Sequence, residues 1–119
     1  METPHIPAIR RGVNYKSLNI NQVNDYKTKD TLLEVSSINA GIIRRDLKDI
    51  AKSRNALRSL STQELYDICA KAGDYFVNGT LPLGDRGHTQ SAEEYISQLS
   101  STSGLPHIMV KRNMTKIAS

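Results

Sequence analysis

The sequence has few of the residues that build disulfide frameworks and zinc sites. Cys69 is the only cysteine, so no disulfide can form within the chain. The three histidines, at positions 5, 88 and 107, have no second cysteine or histidine at zinc-ligand spacing. None of them has an acid or a nucleophile at a telling distance along the chain. These patterns predict no catalytic, cofactor-binding or metal-binding residue, and they favour a reduced, cytoplasmic protein.

The sequence also lacks long apolar runs and is poor in large aromatic residues. No run is long enough to cross a membrane, and the N-terminus has neither part of a secretion signal. There is no Trp and one Phe, and 38% of the residues are hydrophobic. A chain of 119 residues suffices for one small domain, but its core is predicted to be thin. We expect a subdomain that rests on a larger surface, with exposed apolar patches, marginal stability or self-association when alone.

Positive charge is in mild excess, with 16 basic and 12 acidic residues and a net charge of +4. Part of the excess lies in the tail 101–119, and part lies in residues 44–58, where the basic side chains are Arg44, Arg45, Lys48, Lys52, Arg54 and Arg58. Charge runs interleaved with acids are usually solvated helix faces, so nucleic-acid binding is not expected. The alternative interpretation is a small basic helical module that binds a partner protein or nucleic acid.

The first third of the chain is predicted to be extended. Residues 1–14 form an extended lead-in that contains Pro4, Pro7 and Gly12. Residues 15–119 are predicted to form an N-terminal hairpin followed by a helical subdomain. Two runs rich in strand-forming residues flank the polar segment 27–30, and together they predict a β-hairpin.

Two helices are predicted next. Apolar residues at three- and four-residue spacing indicate one amphipathic helix over about 41–59, with Asn39 as its cap. Ser61 and Glu64 have the spacing of a capping box and open a second helix, which ends at Asn78-Gly79. The short link between the helices predicts an antiparallel helical hairpin. Cys69 lies on the apolar stripe of the second helix, which predicts a core cysteine and not a nucleophile.

Residues 79–90 are predicted to be a loop, because they contain three Gly and one Pro. Within them, the segment 84–87 matches no phosphate-binding pattern and is predicted to be a solvated turn. Ser91 and Glu94 repeat the capping-box spacing and open a third helix. Pro106 fits the first turn of a fourth helix, which reaches the end of the sequence without a stop signal. The fold class is therefore an α+β fragment, mostly helical, with an N-terminal hairpin and about four helices, incomplete at the C-terminus.

Three stretches of the sequence resemble a known family. They are residues 6–18 (IPAIRRGVNYKSL), residues 35–47 (VSSINAGIIRRDL) and residues 99–114 (LSSTSGLPHIMVKRNM). The third is similar to the "SATTGLPH…RRNM.KI" region of acyl-CoA reductase-like members of the aldehyde dehydrogenase superfamily, including the fatty acyl-CoA reductases of bacterial bioluminescence. The resemblance spans nearly the whole chain, and the third run is its most specific part.

The resemblance implies the N-terminal part of an oxidoreductase that uses NAD or NADP and acts on an aldehyde or acyl-CoA thioester. In that superfamily an N-terminal hairpin and helices precede the nucleotide-binding and catalytic domains, whose glycine-bearing site, general-base Glu and catalytic Cys lie well downstream. None of those motifs is present here. The chain alone is therefore expected to be inactive and to bind no cofactor. Its implied partner is the remainder of the dehydrogenase fold, which is expected to be a homo-oligomer when complete.

One turn of this chain is a candidate for the substrate entrance or for a structural role. It contains Thr102, Gly104, Pro106 and His107. The hypothesis rests on the motif-like appearance of the turn within the third run. Substitution of Thr102 or His107 in a complete homologue would test it.

Overall fold

Three short strands, β1 (His5–Ile6), β2 (Ala8–Arg10) and β3 (Val13–Tyr15), occupy most of the segment predicted to be an extended lead-in. The structure is a computed structural model and describes residues 2–119. Strands β2 and β3 form an antiparallel hairpin, and its tip residues Arg11 and Gly12 have φ angles of 53° and 78°. Two successive residues with positive φ give a turn whose twist matches that of the strands. The lead-in is thus paired backbone, which the sequence pattern did not indicate.

The hairpin predicted around residues 27–30 is confirmed. Strands β4 (Ile20–Asn24) and β5 (Thr31–Ser36) pair antiparallel. At the start of the connection, the Asp25 carboxylate accepts hydrogen bonds from the backbone N–H groups of Lys27 and Thr28, at 2.7 and 2.9 Å. A side chain that bonds its own following backbone stabilises a turn without Asn-Gly or Asp-Gly. β1 pairs parallel to the other edge of β5, so the sheet order is β1-β5-β4.

The prediction of one helix over 41–59 is wrong, because this segment forms two helices. Helix α1 (Ala40–Leu47) is capped as expected by Asn39, whose side chain accepts from the Ile42 N–H, and helix α2 (Ile50–Arg58) follows. Between them, the N–H groups of Lys48 and Asp49 bond to carbonyls three residues earlier. Such tight bonds interrupt an α-helix. The break coincides with tertiary ion pairs that residues near the junction make with the β2–β3 hairpin.

The three remaining helices begin where the capping patterns placed them. Helix α3 (Thr62–Asn78) follows Ser61, and helix α4 (Ala92–Ser103) follows Ser91. Both starts are complete capping boxes, in which the serine and the glutamate three residues later bond each other's backbone N–H. Helix α5 (His107–Ala118) begins one residue after Pro106. The described residues therefore contain five helices, not about four.

The prediction of a loop over 79–90 is also wrong. Strands β6 (Thr80–Leu83) and β7 (His88–Ser91) form an antiparallel hairpin within this segment. Its glycines lie outside the strands, and Gly84 and Gly87 both have positive φ at the turn. Pro82 lies in β6, which pairs on one side only, and an edge strand tolerates proline. Glycine and proline here shape a hairpin instead of preventing one.

The buried apolar side chains lie in the C-terminal half. Helix α3 lies mainly against α5 and α4 and has at most a minor contact with α2, so the predicted antiparallel packing of the two helices does not form. Within the described residues only Val110 and Met114 are buried apolar side chains, at 1% and 4% exposure. Both lie on α5, whereas Ile117 on the same helix is exposed. The chain is a small α+β domain with several small sheets and a thin core.

The surface area confirms how thin this core is. The chain exposes 9003 Å², whereas a compact monomer of its 13.2 kDa mass exposes roughly 6,400 Å². Its radius of gyration is 16.8 Å, against about 13.5 Å for a globule of this length. The apolar stripes of the helices are therefore largely uncovered. None of the helices in residues 2–119 is long and apolar enough to cross a membrane.

Candidate functional site

The predicted turn joins helix α4 to helix α5. Gly104 ends α4 with a φ of 77°, and its N–H donates to the Ser100 carbonyl at 2.8 Å. The backbone just before it is tied to the N-terminal half, because the Tyr26 N–H donates to the Ser101 carbonyl at 2.9 Å. A Cβ added at Gly104 would lie 3.7 Å from the Tyr26 ring, which is ordinary contact. The glycine is therefore required by its backbone conformation and not by lack of space.

The polar side chains of this turn have different surroundings. The Thr102 hydroxyl donates to the Leu99 carbonyl of its own helix at 3.2 Å, so it is already occupied. Pro106 precedes α5, and His107 opens that helix with an exposed side chain. His107 lies on an open recess of about 380 Å³ with Glu93, Ile96, Ile108 and Lys111. Within the described residues the imidazole makes no hydrogen bond, so the turn brings together no catalytic pair.

Cys69 does not lie in a core, so that prediction is wrong. Its side chain is exposed on α3, beside a shallow apolar recess formed with Thr62, Leu65 and Tyr66. Helix α3 turns a different face to α5, where Gly73 approaches the backbone of Ala118. The apolar stripe that carries Cys69 is real, but no part of the described chain covers it. No acid or imidazole hydrogen bonds to its thiol within residues 2–119.

The structure brings together three polar side chains, those of His5, Ser36 and Asp85, which no sequence pattern had linked. His5 is 0% exposed. Its Nδ1 lies 2.8 Å from Asp85 Oδ1, and its Nε2 lies 2.9 Å from Ser36 Oγ. The Ser36 oxygen also accepts the Ser17 backbone N–H at 3.0 Å. With Asp85 ionised and the imidazole neutral, Nδ1 donates to the carboxylate and Nε2 accepts from the serine hydroxyl.

This order of acid, imidazole and hydroxyl is that of a nucleophilic triad, but the surroundings do not fit catalysis. His5 and Ser36 are buried, at 0% and 8% exposure, which keeps the hydroxyl away from a substrate. The Ser36 oxygen is also held by the Ser17 backbone N–H. The cluster therefore acts as a buried anchor. No local signal could have revealed it, since its members are 31 and 80 residues apart.

The segment 84–87 is a turn, as predicted, but it is part of this anchor and only half of its residues are exposed. The Asp85 N–H donates to the His5 carbonyl at 3.1 Å. Arg86, with a side chain only 17% exposed, donates to the Thr3 carbonyl at 2.6 Å and pairs with Glu34 at 3.3 Å. The hydrogen bond from His5 lowers the pKa of the Asp85 carboxyl below its usual value, in spite of partial burial. The turn fastens the β6–β7 hairpin onto β1.

A second polar cluster joins the β2–β3 hairpin to helix α1. Arg10 donates two hydrogen bonds to Asp46, at 2.7 and 2.6 Å, and its guanidinium lies 4.9 Å from the centre of the Tyr15 ring. These bonds lower the pKa of Asp46 and raise that of Arg10. Arg11 pairs with Asp49 at 2.8 Å in a more exposed position. Planar two-bond pairing fixes the angle between hairpin and helix.

Polar and charged side chains gather in these two clusters and in the turn 102–107. No group of three or more potential metal ligands occurs among residues 2–119. The chain has no match among family models, curated proteins or solved structures. Its function must therefore be argued from its surfaces and its sequence runs.

Proposed function

We propose that this chain is the N-terminal segment of an NAD(P)-dependent oxidoreductase that acts on an aldehyde or acyl-CoA thioester, and that it has a supporting, non-catalytic role there. The observation that carries the proposal is the uncovered apolar surface. Apolar side chains of α3, including Ile68 at 54% and Tyr66 at 69% exposure, face outward in stripes that a larger body would cover. A stable monomer rarely exposes so much contiguous apolar surface.

The resemblance of residues 99–114 supports the choice of enzyme class. These residues form the end of α4, the turn and most of α5, and they include the two buried apolar side chains, Val110 and Met114. A run that resembles the reductases is thus also the best-packed part of this chain. In the proposed assembly the remainder of the fold binds the nicotinamide cofactor, and the complete protein is a cytoplasmic homo-oligomer that binds neither membrane nor nucleic acid.

The coding frame provides the direct test. We expect the frame beyond codon 119 to encode a glycine-bearing nucleotide site and, later, a cysteine flanked by small residues. The product of the whole frame should oxidise NADH or NADPH only when an acyl-CoA thioester is present, or should reduce NAD+ or NADP+ only when the aldehyde is present. Residues 1–119 alone should show neither activity. A frame without these motifs, or a whole product with neither activity, would overturn the proposal.

Within this proposal, the turn 102–107 lies near the substrate entrance. The exposed His107, at the N-terminus of α5 and on an open recess, supports this placement. In the complete enzyme, Thr102→Ala or His107→Ala should raise KM for the thioester. Thr115→Ala is the matched control, because Thr115 also donates to a carbonyl of its own helix but lies away from the turn. Unchanged kinetics in both turn variants would refute the placement.

A further inference from the structure

An apolar groove runs between strand β2 and the helices α1 and α2. It is an open recess of about 300 Å³, and its apolar lining is Ile9, Ile38, Ile43, Leu47 and Ile50. Ile9 is 72% exposed and Leu47 is 54% exposed. No other element of the described chain covers this floor. Apolar side chains of this size are stabilised when they move from water into contact with a partner.

Positive charge is concentrated on the segments that form the groove. Asp46 and Asp49 are already engaged by Arg10 and Arg11, which form part of its wall. The basic side chains of the α1–α2 segment make no ion pair within residues 2–119; they are Arg44, Arg45, Lys48, Lys52, Arg54 and Arg58. Together with Arg10 and Arg11, the α1–α2 segment carries eight cations against the two carboxylates of Asp46 and Asp49. The local excess exceeds the net +4 of the whole chain.

The wall of the groove is also held in place before any partner arrives. Arg10 is fixed by its two bonds to Asp46 and by the Tyr15 ring. A second recess of about 280 Å³ shares Arg10, Arg11 and Asp46 with the groove, and Arg45 also lines it. Guanidinium groups that are already oriented lose less freedom when they bind a carboxylate. The surface therefore combines an apolar floor with a basic edge.

Three occupants fit this surface poorly. A second copy in a two-fold dimer would place the same cations against one another, and like charges across an interface repel. A bilayer is flat, whereas the apolar residues line a concave recess. Nucleic acid would satisfy the cations but would leave the apolar floor largely unfilled.

We propose that this groove binds an acidic amphipathic helix of a separate partner protein. The apolar ridge of that helix lies against Ile43, Leu47 and Ile50, and its flanking carboxylates pair with Arg11 and Arg45. This is the helix-in-groove mode, in which apolar side chains at helical spacing give affinity and the charged edge selects the partner. The inference does not depend on the enzyme class proposed above.

Two synthetic helical peptides with the same leucine ridge test the proposal. One carries glutamates beside the ridge and the other carries lysines. In fluorescence anisotropy with the purified chain, the glutamate peptide should bind at least about tenfold more tightly than the lysine peptide, and added salt should weaken it. Leu47→Glu should reduce binding at least about tenfold. The control Leu57→Glu, on exposed α2 surface outside the groove, should not.

A charge reversal supplies the second arm. Arg45→Glu should weaken the glutamate peptide and strengthen the lysine peptide, whereas Arg112→Glu, with the same change in net charge on α5, should do neither. Four results would overturn the proposal: equal binding of both peptides, a dimer that Leu47→Glu dissolves, binding to duplex DNA or anionic vesicles that Leu47→Glu abolishes while the peptides do not bind, or loss of peptide binding in the product of the whole coding frame. The last result would mean that the groove is covered within one polypeptide, and it would leave the proposed enzyme class intact.

Discussion

In residues 2–60 the buried side chains are His5, Ser17 and Ser36, which are all polar, whereas in residues 61–119 they are Val110 and Met114, which are both apolar. The first half is ordered by directional bonds between a few atoms. The second half is ordered by helix packing around one small apolar cluster. Directional bonds can fix geometry without burying much apolar surface, but they stabilise little in net terms. The comparison explains how a chain with so thin a core still has a defined arrangement.

The two halves meet at two places. The turn 84–87 carries Asp85 and Arg86 onto β1, and the Tyr26 backbone bonds to the end of α4. Most of the remaining surface of α1, α2 and α3 is free. These two contacts are the joints between the halves. A single substitution at either joint should therefore change the stability of both halves.

The largest effect is expected at Gly84. A Cβ there would lie 1.9 Å from the His5 carbonyl oxygen, and the φ of 71° disfavours any other residue. Gly84→Ala should cost about 4 kcal/mol of unfolding free energy, since it adds left-handed strain and drives the turn off β1. Gly87→Ala has the same strain at a φ of 79° but an open site, and should cost about 1 kcal/mol. Equal costs in urea unfolding followed by circular dichroism would show that the joint does not couple the halves.

The next largest loss of stability is expected in residues 61–119, where the buried side chains are apolar. Met114 is 4% exposed and Met109, on the same helix, is 53% exposed. Met114→Ala should lower the free energy of unfolding by about 3 kcal/mol, because it leaves a cavity beside Val110. Met109→Ala should stay within about 0.5 kcal/mol. If both variants unfold alike, the apolar cluster is not what holds the three C-terminal helices.

Sequence reasoning succeeded where a structure is specified locally. Ser61 with Glu64 and Ser91 with Glu94 complete their bonds within four residues, so both helix starts were predictable. The His5 network was not, because its contacts depend on the parallel pairing of β1 with β5 and on the docking of a distant turn. The Gly-rich segment 79–90 was misread because glycine marks a tight hairpin as readily as a loop.

Burial was harder to predict than secondary structure. The pattern around Cys69 correctly gave an apolar stripe on a helix, but burial depends on what packs against the stripe, which local periodicity does not encode. The same reason explains why Ile117 is exposed whereas Val110, on the same helix α5, is buried. For the candidate site, the sequence identified the turn 102–107, which the structure places between two helices. It missed both the buried anchor and the basic groove.

A smaller loss of stability is expected in residues 2–60, where the buried side chains are polar. Removal of the Ser36 hydroxyl leaves His5 Nε2 and the Ser17 N–H without their partner in a buried place. Ser36→Ala should therefore cost about 1.5 kcal/mol. Ser37→Ala is the matched control, because its hydroxyl makes no hydrogen bond within the described residues. Chemical denaturation of both variants at one protein concentration gives the difference. A cost no larger than that of the control would mean that the network orders the strands without stabilising them.

The smallest effect is the acid sensitivity of the joint. Hydrogen bonding to His5 lowers the pKa of Asp85 from its ordinary 3.8. A carboxyl whose pKa is lower in the folded state binds protons more weakly there than in the unfolded chain, so it stabilises the fold above the ordinary pKa. That contribution is lost as the pH falls through the folded-state value. Arg10 lowers the pKa of Asp46, so Asp46 also stabilises the fold above its ordinary pKa and loses that contribution in acid.

The contribution of these two carboxyls to the free energy of unfolding should therefore be constant above about pH 5 and should fall below about pH 4. Asp85→Asn should make the acid side of this profile shallower, because one of the coupled carboxyls is gone. Asp30→Asn, at an exposed position whose side chain makes no hydrogen bond in the described chain, should leave the slope as it is. The slope is measured from denaturant midpoints between pH 2.5 and 6, a range chosen around the ordinary value of 3.8. If Asp85→Asn and Asp30→Asn change the slope equally, acid acts on the whole charge of the chain and not on the joint between its polar and apolar halves.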